Sequence, residues 1–338
     1  MKRFKLRYAD LSTYRAELMG ISIIGILLCH MSECRILHDL PIPVYAKLLG
    51  KLTAFVDVFM LISGLGLYYS YSRRSEPVFF YRKRVSRLLP VYLLIAAPYW
   101  IWRDMIADGQ GLARVLYDLC FVSCVRDGLM RFWFVFAIFV FYLLFPAIYR
   151  FIFTGKREGL RAALAVLLSV AGSRLISWAA PGIYGHMQIM IDRVPAFILG
   201  AWAGRQAKRD EEIKPWMLIL VAALCLATQA MSVVDRLSAV FAPISYYSAT
   251  CLGIALMLAA IFALKLIRVG AVSKALRRLG GVTLEVYLFH SLLKNVFDYP
   301  AGTGKYLLVA VAMPIVFGFA AHWLIDRIMR LGKNHARI

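Results

Sequence analysis

Linkers, paired cysteines and charge are what this 338-residue chain has little of. No run rich in proline, serine or glycine separates two halves, and no repeat of fixed period is evident, so residues 1–338 read as a single domain. The six cysteines (Cys29, Cys34, Cys120, Cys124, Cys225 and Cys251) lack the short paired spacings of a zinc site, and no metal is expected. Most of them fall in apolar runs, where a thiol packs as a small hydrophobe. Cys34, Cys120 and Cys124 lie in segments expected to face outward, where an oxidising exterior would allow a disulfide among them. Charged residues make up only 17% of the chain against 61% apolar, far beyond the roughly 45–50% apolar usage of a soluble domain, and this excludes a water-soluble core. The basic start, Met1 to Arg7, and the apolar stretch Leu18–Met31 resemble a secretory signal, but no small-residue cleavage site follows. Glu33, Cys34 and Arg35 come next, so the expectation is an uncleaved first helix.

What the chain has instead is membrane-length apolar segments. A helix needs about 20 mostly apolar residues to cross the hydrocarbon layer. Ten segments qualify or nearly so: Arg15–Met31, Leu52–Tyr71, Leu88–Trp102, Phe132–Phe153, Ala162–Trp178, Ile189–Arg205, Pro215–Met231, Pro243–Ile267, Val282–Phe297 and Tyr306–Ile328. The net charge of +21 does not point to nucleic acid, because the basic residues sit in clumps between these segments rather than on one face of a folded domain. More than two thirds of the 40 Lys and Arg fall in alternate connections, the pattern of residues retained on the cytoplasmic side during insertion. The expected fold is therefore all-α: a polytopic transmembrane bundle of about ten helices in the cell (plasma) membrane, both termini cytoplasmic. The longest outward segment, Arg103–Arg131, contains apolar pieces such as Leu116–Val122 and suggests an interfacial helix.

Ionisable groups inside a bilayer cost about 2.5 kcal/mol or more at its centre, so each one is a candidate for function. His30, Asp57, Glu285 and His290 stand out. At about 1.5 Å per residue, His30 lies some 20 Å from the inner end of its helix, and His290 and Asp57 fall near that depth on theirs, so one polar cavity could hold them together. A neutral imidazole suits such a cavity, since it can take a proton from a hydroxyl near neutral pH, and a carboxylate such as Asp57 would orient it. The plain alternative is a histidine that only hydrogen-bonds a neighbouring helix. A second constellation runs from Phe80 to Tyr92, where Arg84 and Arg87, three residues apart, share a helical face and can grip a phosphate with two guanidinium forks. Its plain alternative is a topogenic cluster that snorkels to the headgroups.

Five pieces of the chain, in order, resemble the acyltransferase-3 family of bacterial membrane acyltransferases, which acylate cell-surface glycans and related acceptors. Met19 to His30 is similar to the family's first helix, which ends in its proposed catalytic histidine. Val56-Asp-Val-Phe-Met-Leu-Ile-Ser-Gly64 resembles its Asp-x-Phe-Phe-x-x-Ser-Gly stretch. Arg84-x-x-Arg87-x-x-Pro90-x-Tyr92 falls where the family has an Arg-x-x-Arg pair, and Phe132-Trp-Phe134 with Tyr142 and Pro146 is like its Trp-Phe…Tyr…Pro helix. Leu279 to His290 resembles its Gly-x-x-Ser-x-x-x-Tyr-Leu-x-His signature, with Thr283 in place of the serine. Arg193, Pro195, Phe197 and Gly200 add a looser match. One position departs: the family usually has an arginine eleven residues before the helix-one histidine, and this chain has Met19 there, with Arg15 one turn earlier on nearly the same face.

The resemblance implies a cytoplasmic acyl-CoA donor, acetyl-CoA first among them, and a hydroxyl acceptor on a cell-surface or lipid-linked glycan, hence O-acetylation and polysaccharide modification at the cell envelope. It implies His30 as catalytic base with Asp57 beside it, Arg84, Arg87 and Tyr92 on the donor, and Trp133, Arg193, Glu285 and His290 toward the acceptor. Expected partners are membrane lipid and the glycan or other hydroxyl acceptor, with no nucleic acid. A transporter or flippase of a polar metabolite or lipid-linked sugar is the alternative reading, though its usual broken helices and inverted repeats are not visible in the sequence. A membrane scaffold without activity is a third.

Overall fold

The computed structural model describes residues 5–31, 49–234, 247–267, 270–296 and 307–335. These residues form helices and connecting turns, with no strand among them beyond one isolated bridge between Arg7 and Glu212. Helices are what an apolar chain must form in lipid, because each backbone N–H then finds its carbonyl within the same segment. In chain order the α-helices are α1 (Tyr8–Thr13), α2 (Arg15–Met31), α3 (Ala54–Tyr71), α4 (Pro77–Trp100), α5 (Leu112–Leu119), α6 (Val122–Arg126), α7 (Trp133–Phe153) and α8 (Glu158–Ala179). Then follow α9 (Pro181–Ile191), α10 (Val194–Lys208), α11 (Pro215–Val234), α12 (Ser248–Ile267), α13 (Gly270–Gly281), α14 (Thr283–Val296) and α15 (Met313–His335). Two π-helical stretches, Ile101–Ala107 and Leu307–Ala312, extend α4 and precede α15.

Among the described residues, six helices are long and apolar enough to cross a membrane: Leu49–Tyr71, Pro77–Ala107, Trp133–Phe153, Glu158–Ala179, Ser248–Leu266 and Leu308–Ile328. The chain is thus a multi-pass membrane protein. The first expected segment coincides with α2. The third begins eleven residues earlier than expected, at Pro77, because the basic run Arg82–Arg87 is helical and joins the apolar part without a break. The sixth needs correction. Ile189–Arg205 was expected as one helix, yet the chain breaks between Ile191 and Val194, where Asp192 and Arg193 turn to different partners and Pro195 opens the new helix. Segment eight begins, among the described residues, at Ser248; its expected start at Pro243 lies outside them, as does Cys34. The expected interfacial helix appears as the pair α5 and α6, hinged at Phe121, whose left-handed φ of 61° lets its ring stack on Tyr92 at 4.9 Å. Cys120 and Cys124 are free thiols, the latter buried with its pKa pushed up to about 11 by that burial.

Packing explains why several motif positions are glycine. Lipid tails are as apolar as leucine, so burying apolar area between helices gains little and close van der Waals fit matters more. A Cβ on Gly64 would sit 2.1 Å from the Phe197 carbonyl oxygen and one on Gly200 1.9 Å from that of Leu61, so α3 and α10 touch backbone to backbone. Gly20 and Gly280 do the same for α2 and α13, at 2.2 Å from Leu276 O and 1.8 Å from Ala16 O. Around these contacts lies the main core, with Leu18, Leu27, Phe59, Ile62, Leu65, Tyr68, Phe141, Phe145 and Phe197 all buried. Buried polar bonds add specificity: Glu17, with no exposed surface, accepts from Arg277 at 2.6 Å and Ser273 at 2.8 Å, locking α2 to α13.

Candidate active site

Two cavities open between the helices, and three side chains line both: His30, Trp133 and Tyr287. The larger, about 990 Å³, runs along α2 from Arg15 to His30, fifteen residues that rise about 22 Å. Met19, Ile23 and Ile26 on α2, Phe59 on α3, and Leu88 and Val91 on α4 give its middle an apolar wall. Its far end is cationic, holding Arg15, Arg84, Arg87 and Arg277. Arg277 is taken up by Glu17, but Arg15, Arg84 and Arg87 have no carboxylate within 4.0 Å among the described residues. Arg84 rests instead on the rings of Phe80 and Tyr142, 5.5 and 5.6 Å from their centres, and its Nε is buried without a hydrogen-bond partner. Like charges gathered this way repel, and the arrangement becomes favourable when a multiply charged anion enters. Arg82 and Lys83, from the same run, are exposed and line neither cavity, so the cluster divides: two arginines face the cavity and the rest face out.

His30 sits at the junction. Its ring centre is 4.9 Å from that of His290, and its Nδ1 is 3.2 Å from the Lys294 ammonium nitrogen. His290 is buried, and its Nδ1 lies 3.0 Å from the Ala310 carbonyl. A carbonyl can only accept, so Nδ1 carries the hydrogen and Nε2 keeps the lone pair in the neutral ring. The two histidines expected at similar depth are therefore brought together, with Lys294 as a third member that the sequence reading did not single out. Tyr287, one turn before Ser291 on α14, accepts a hydrogen bond from the Phe134 backbone N–H at 3.3 Å, which leaves its own O–H to donate at the junction.

Other expected site residues occupy different places. Asp57 does not touch either histidine. Its Oδ1 accepts from Thr250 Oγ1 at 2.6 Å, its Oδ2 lies 3.5 Å from Arg193 Nε, and it lines neither cavity. Asp57 thus fixes Arg193, which lines the smaller cavity with its guanidinium 5.7 Å from the Trp133 ring centre. Glu285 lines the larger cavity, not the smaller, and is hydrogen-bonded to His322 Nδ1 at 2.8 Å. Tyr92 lines neither: its hydroxyl donates to the Leu119 carbonyl at 3.1 Å and its ring is buried among Phe121 and Phe132, so it anchors the α5–α6 pair to α4. Arg15 shares the larger cavity with Met19, close to Arg84 and Arg87, so a cation is present on this face one turn from the departed position.

The smaller cavity, about 690 Å³, is lined by His30, Trp133, Tyr287, His290, Ser291 and Lys294 together with Arg131, His186, Asp192 and Arg193. Both spaces fall in the range of small-molecule sites. No group of three His, Cys, Asp or Glu with metal-binding geometry occurs among the described residues. The arrangement can hold a polyanion at one end, pass an extended arm along an apolar channel, and present its tip to an imidazole that a second ligand reaches from the other cavity. No curated protein and no solved structure matches the chain. A family model described as an acyltransferase domain matches residues 18–325, which run from the first apolar helix to the last and include every residue that lines the junction of the two cavities. The chain belongs to the acyltransferase-3 family and is an integral-membrane acyltransferase.

Proposed function

We propose that this protein moves an acyl group, acetyl in the simplest case, from cytoplasmic acyl-CoA to a hydroxyl of a cell-surface or lipid-linked glycan. The chain crosses the plasma membrane ten times with both termini in the cytoplasm, so the cationic end of the larger cavity faces the donor pool. The observation that carries the reading is that His30 lines both cavities, the larger of which is also lined by Arg15, Arg84 and Arg87. Arg84, Arg87 and Arg15 hold the CoA phosphates, and the pantetheine arm lies along the apolar wall toward His30.

The acceptor hydroxyl enters the smaller cavity and its oxygen attacks the thioester carbonyl carbon. Its proton passes to the lone pair on His30 Nδ1, which the Lys294 ammonium gives up as the C–O bond forms, a contribution of about 10²–10⁴-fold. Tyr287 donates its O–H to the developing oxyanion. The tetrahedral intermediate then expels CoA by breaking the C–S bond, and the sulfur takes the proton back from the imidazolium, so His30 ends as it began. No enzyme nucleophile is required: Ser291, which follows His290 on α14, donates to the Arg131 carbonyl.

The break between α9 and α10 is a feature that solute pathways also use, and a transporter or flippase of a polar metabolite or lipid-linked sugar is the competing reading. Purified protein that consumes acetyl-CoA thioester decides for transfer. His30→Ala should abolish acyl transfer in membranes, a loss of 10²-fold or more, with protein level and acyl-CoA binding unchanged. Retained transfer in that variant overturns the assignment.

A further inference from the structure

The smaller cavity is more cationic than a neutral sugar needs. Among the described residues, Arg131, Arg193 and Lys294 line it together with one acid, Asp192. That carboxylate is already engaged, accepting from Ser173 at 2.6 Å and from Tyr184 at 3.0 Å and lying 3.4 Å from Arg174. Arg193 has Asp57 behind it at 3.5 Å. Arg131 differs from both. Its guanidinium donates to the Tyr99 hydroxyl and lies 5.5 and 6.0 Å from the ring centres of Tyr99 and Trp100, partners that carry no charge. No carboxylate lies within 4.0 Å of it among the described residues, and its Nε is buried without a hydrogen-bond partner. A partly desolvated cation without a counter-ion is unfavourable unless a ligand supplies one.

Position matters as much as charge. The Ser291 hydroxyl donates to the Arg131 backbone carbonyl, and Ser291 directly follows His290, so Arg131 is tied to α14 at the level of the histidine pair. On its other side Gly128, at a φ of +68°, packs against the His186 ring, where an added Cβ would lie 2.7 Å from a ring carbon. The turn carrying Arg131 is thereby held from both directions, and Arg131 lines the same cavity as His30, about 690 Å³ in volume.

From this arrangement we propose that the smaller cavity binds an acceptor bearing an oxyanion, phosphate or carboxylate, close to the hydroxyl that is acylated, with Arg131 as its principal counter-ion. The proposal rests on the acyl-transfer reading only in calling the ligand an acceptor. A phosphate would mark a lipid-linked or phosphorylated sugar and a carboxylate an acidic glycan. Either recognises the same bidentate fork.

The test is isothermal titration of the full-length protein in detergent with glucose 1-phosphate, glucuronate and, as the neutral control, glucose. At least one of the two anionic sugars should bind ten times or more tighter than glucose, and which one does so names the source of the charge. Arg131→Gln should weaken that sugar at least tenfold, Arg131→Lys should retain most of the affinity, and the Arg84→Gln/Arg87→Gln double variant should leave it unchanged. Acyl-CoA titrated in parallel shows that Arg131→Gln is folded and keeps the outcomes separate: a wild-type protein that binds the anionic sugar but not acyl-CoA refutes the donor assignment and keeps the oxyanion site. Glucose binding as tightly as both anionic sugars, binding indifferent to Arg131→Gln, binding lost with Arg84 and Arg87, or no binding of either anion overturns the proposal.

Discussion

The larger cavity gathers Arg15, Arg84 and Arg87 at one end with no carboxylate within 4.0 Å of them among the described residues, whereas the smaller one sets its charges among acids and aromatic rings, with Asp57 behind Arg193 and Tyr99 beneath Arg131. Three arginines in one place suit a ligand of several negative charges that is gripped and released. Single cations fixed one at a time suit a ligand that must be oriented. The two spaces also differ in wall: a long apolar flank along α2 and α4 against a ring of histidines and polar groups from α2, α9, the break after α9 and α14. On the proposed function one chamber sorts ligands by charge number and length and the other by the placement of a few hydrogen bonds, and substitutions in each should separate in kinetics.

The largest separation is expected from the arginine pair. Replacing both Arg84 and Arg87 by Gln removes two charge-assisted contacts, each about 1.5–3 kcal/mol, so acyl-CoA binding should weaken about 10²–10⁴-fold. Acceptor binding should not change. Unaltered acyl-CoA affinity would return the pair to a purely topogenic role and leave the larger cavity without a ligand.

A smaller effect is expected across the divide. Asp57→Asn keeps an oxygen for the Thr250 hydrogen bond, 2.6 Å in the parent, but leaves Arg193 without its carboxylate. The expected result is a fall of about tenfold in kcat/KM for the acceptor, with acyl-CoA KM held constant, measured at saturating donor. A change confined to donor KM would place Asp57 on the other side of His30 and undo the contrast drawn between the chambers.

Much of this site was legible before the structure, and the unread part has a common cause. Helix rise fixes depth, and depth placed His30 and His290 at one level, where their rings indeed meet at 4.9 Å. Rise says nothing about which way a side chain points around its helix relative to helices far away in sequence. Asp57 was therefore set beside the histidines when it turns to Thr250 and Arg193, and Tyr92 was set on the donor when it faces Leu119. Arg131 and Lys294 read as ordinary loop and helix-end charges, since nothing local distinguishes a topogenic cation from one that a distant helix brings to the site. Tyr287 lay inside a quoted motif, and its role became visible only through the Phe134 N–H that occupies its oxygen. Among the membrane segments, the sixth misled for a different reason: hydropathy averages over Asp192 and Arg193, and two opposite charges amid apolar residues pass for one continuous helix when each in fact has a separate buried partner, Ser173 for the one and Asp57 for the other.

Glu285 gives the smallest and most discriminating test. By motif it belonged with the acceptor, next to His290 on α14, but five positions along a helix turn a side chain by about 500°, and it opens on the larger cavity instead. There its Oε1 bonds His322 Nδ1 at 2.8 Å, which holds that imidazole in the wall of the larger cavity. Glu285→Gln keeps a carbonyl oxygen for the same bond and loses only the charge. The expected change is correspondingly slight, about two- to threefold in acyl-CoA KM, with acceptor KM unmoved in the same assay. A shift in acceptor KM with donor KM constant would mean that Glu285 acts through His290 after all, and the wall at His30, Trp133 and Tyr287 would no longer divide the two ligands.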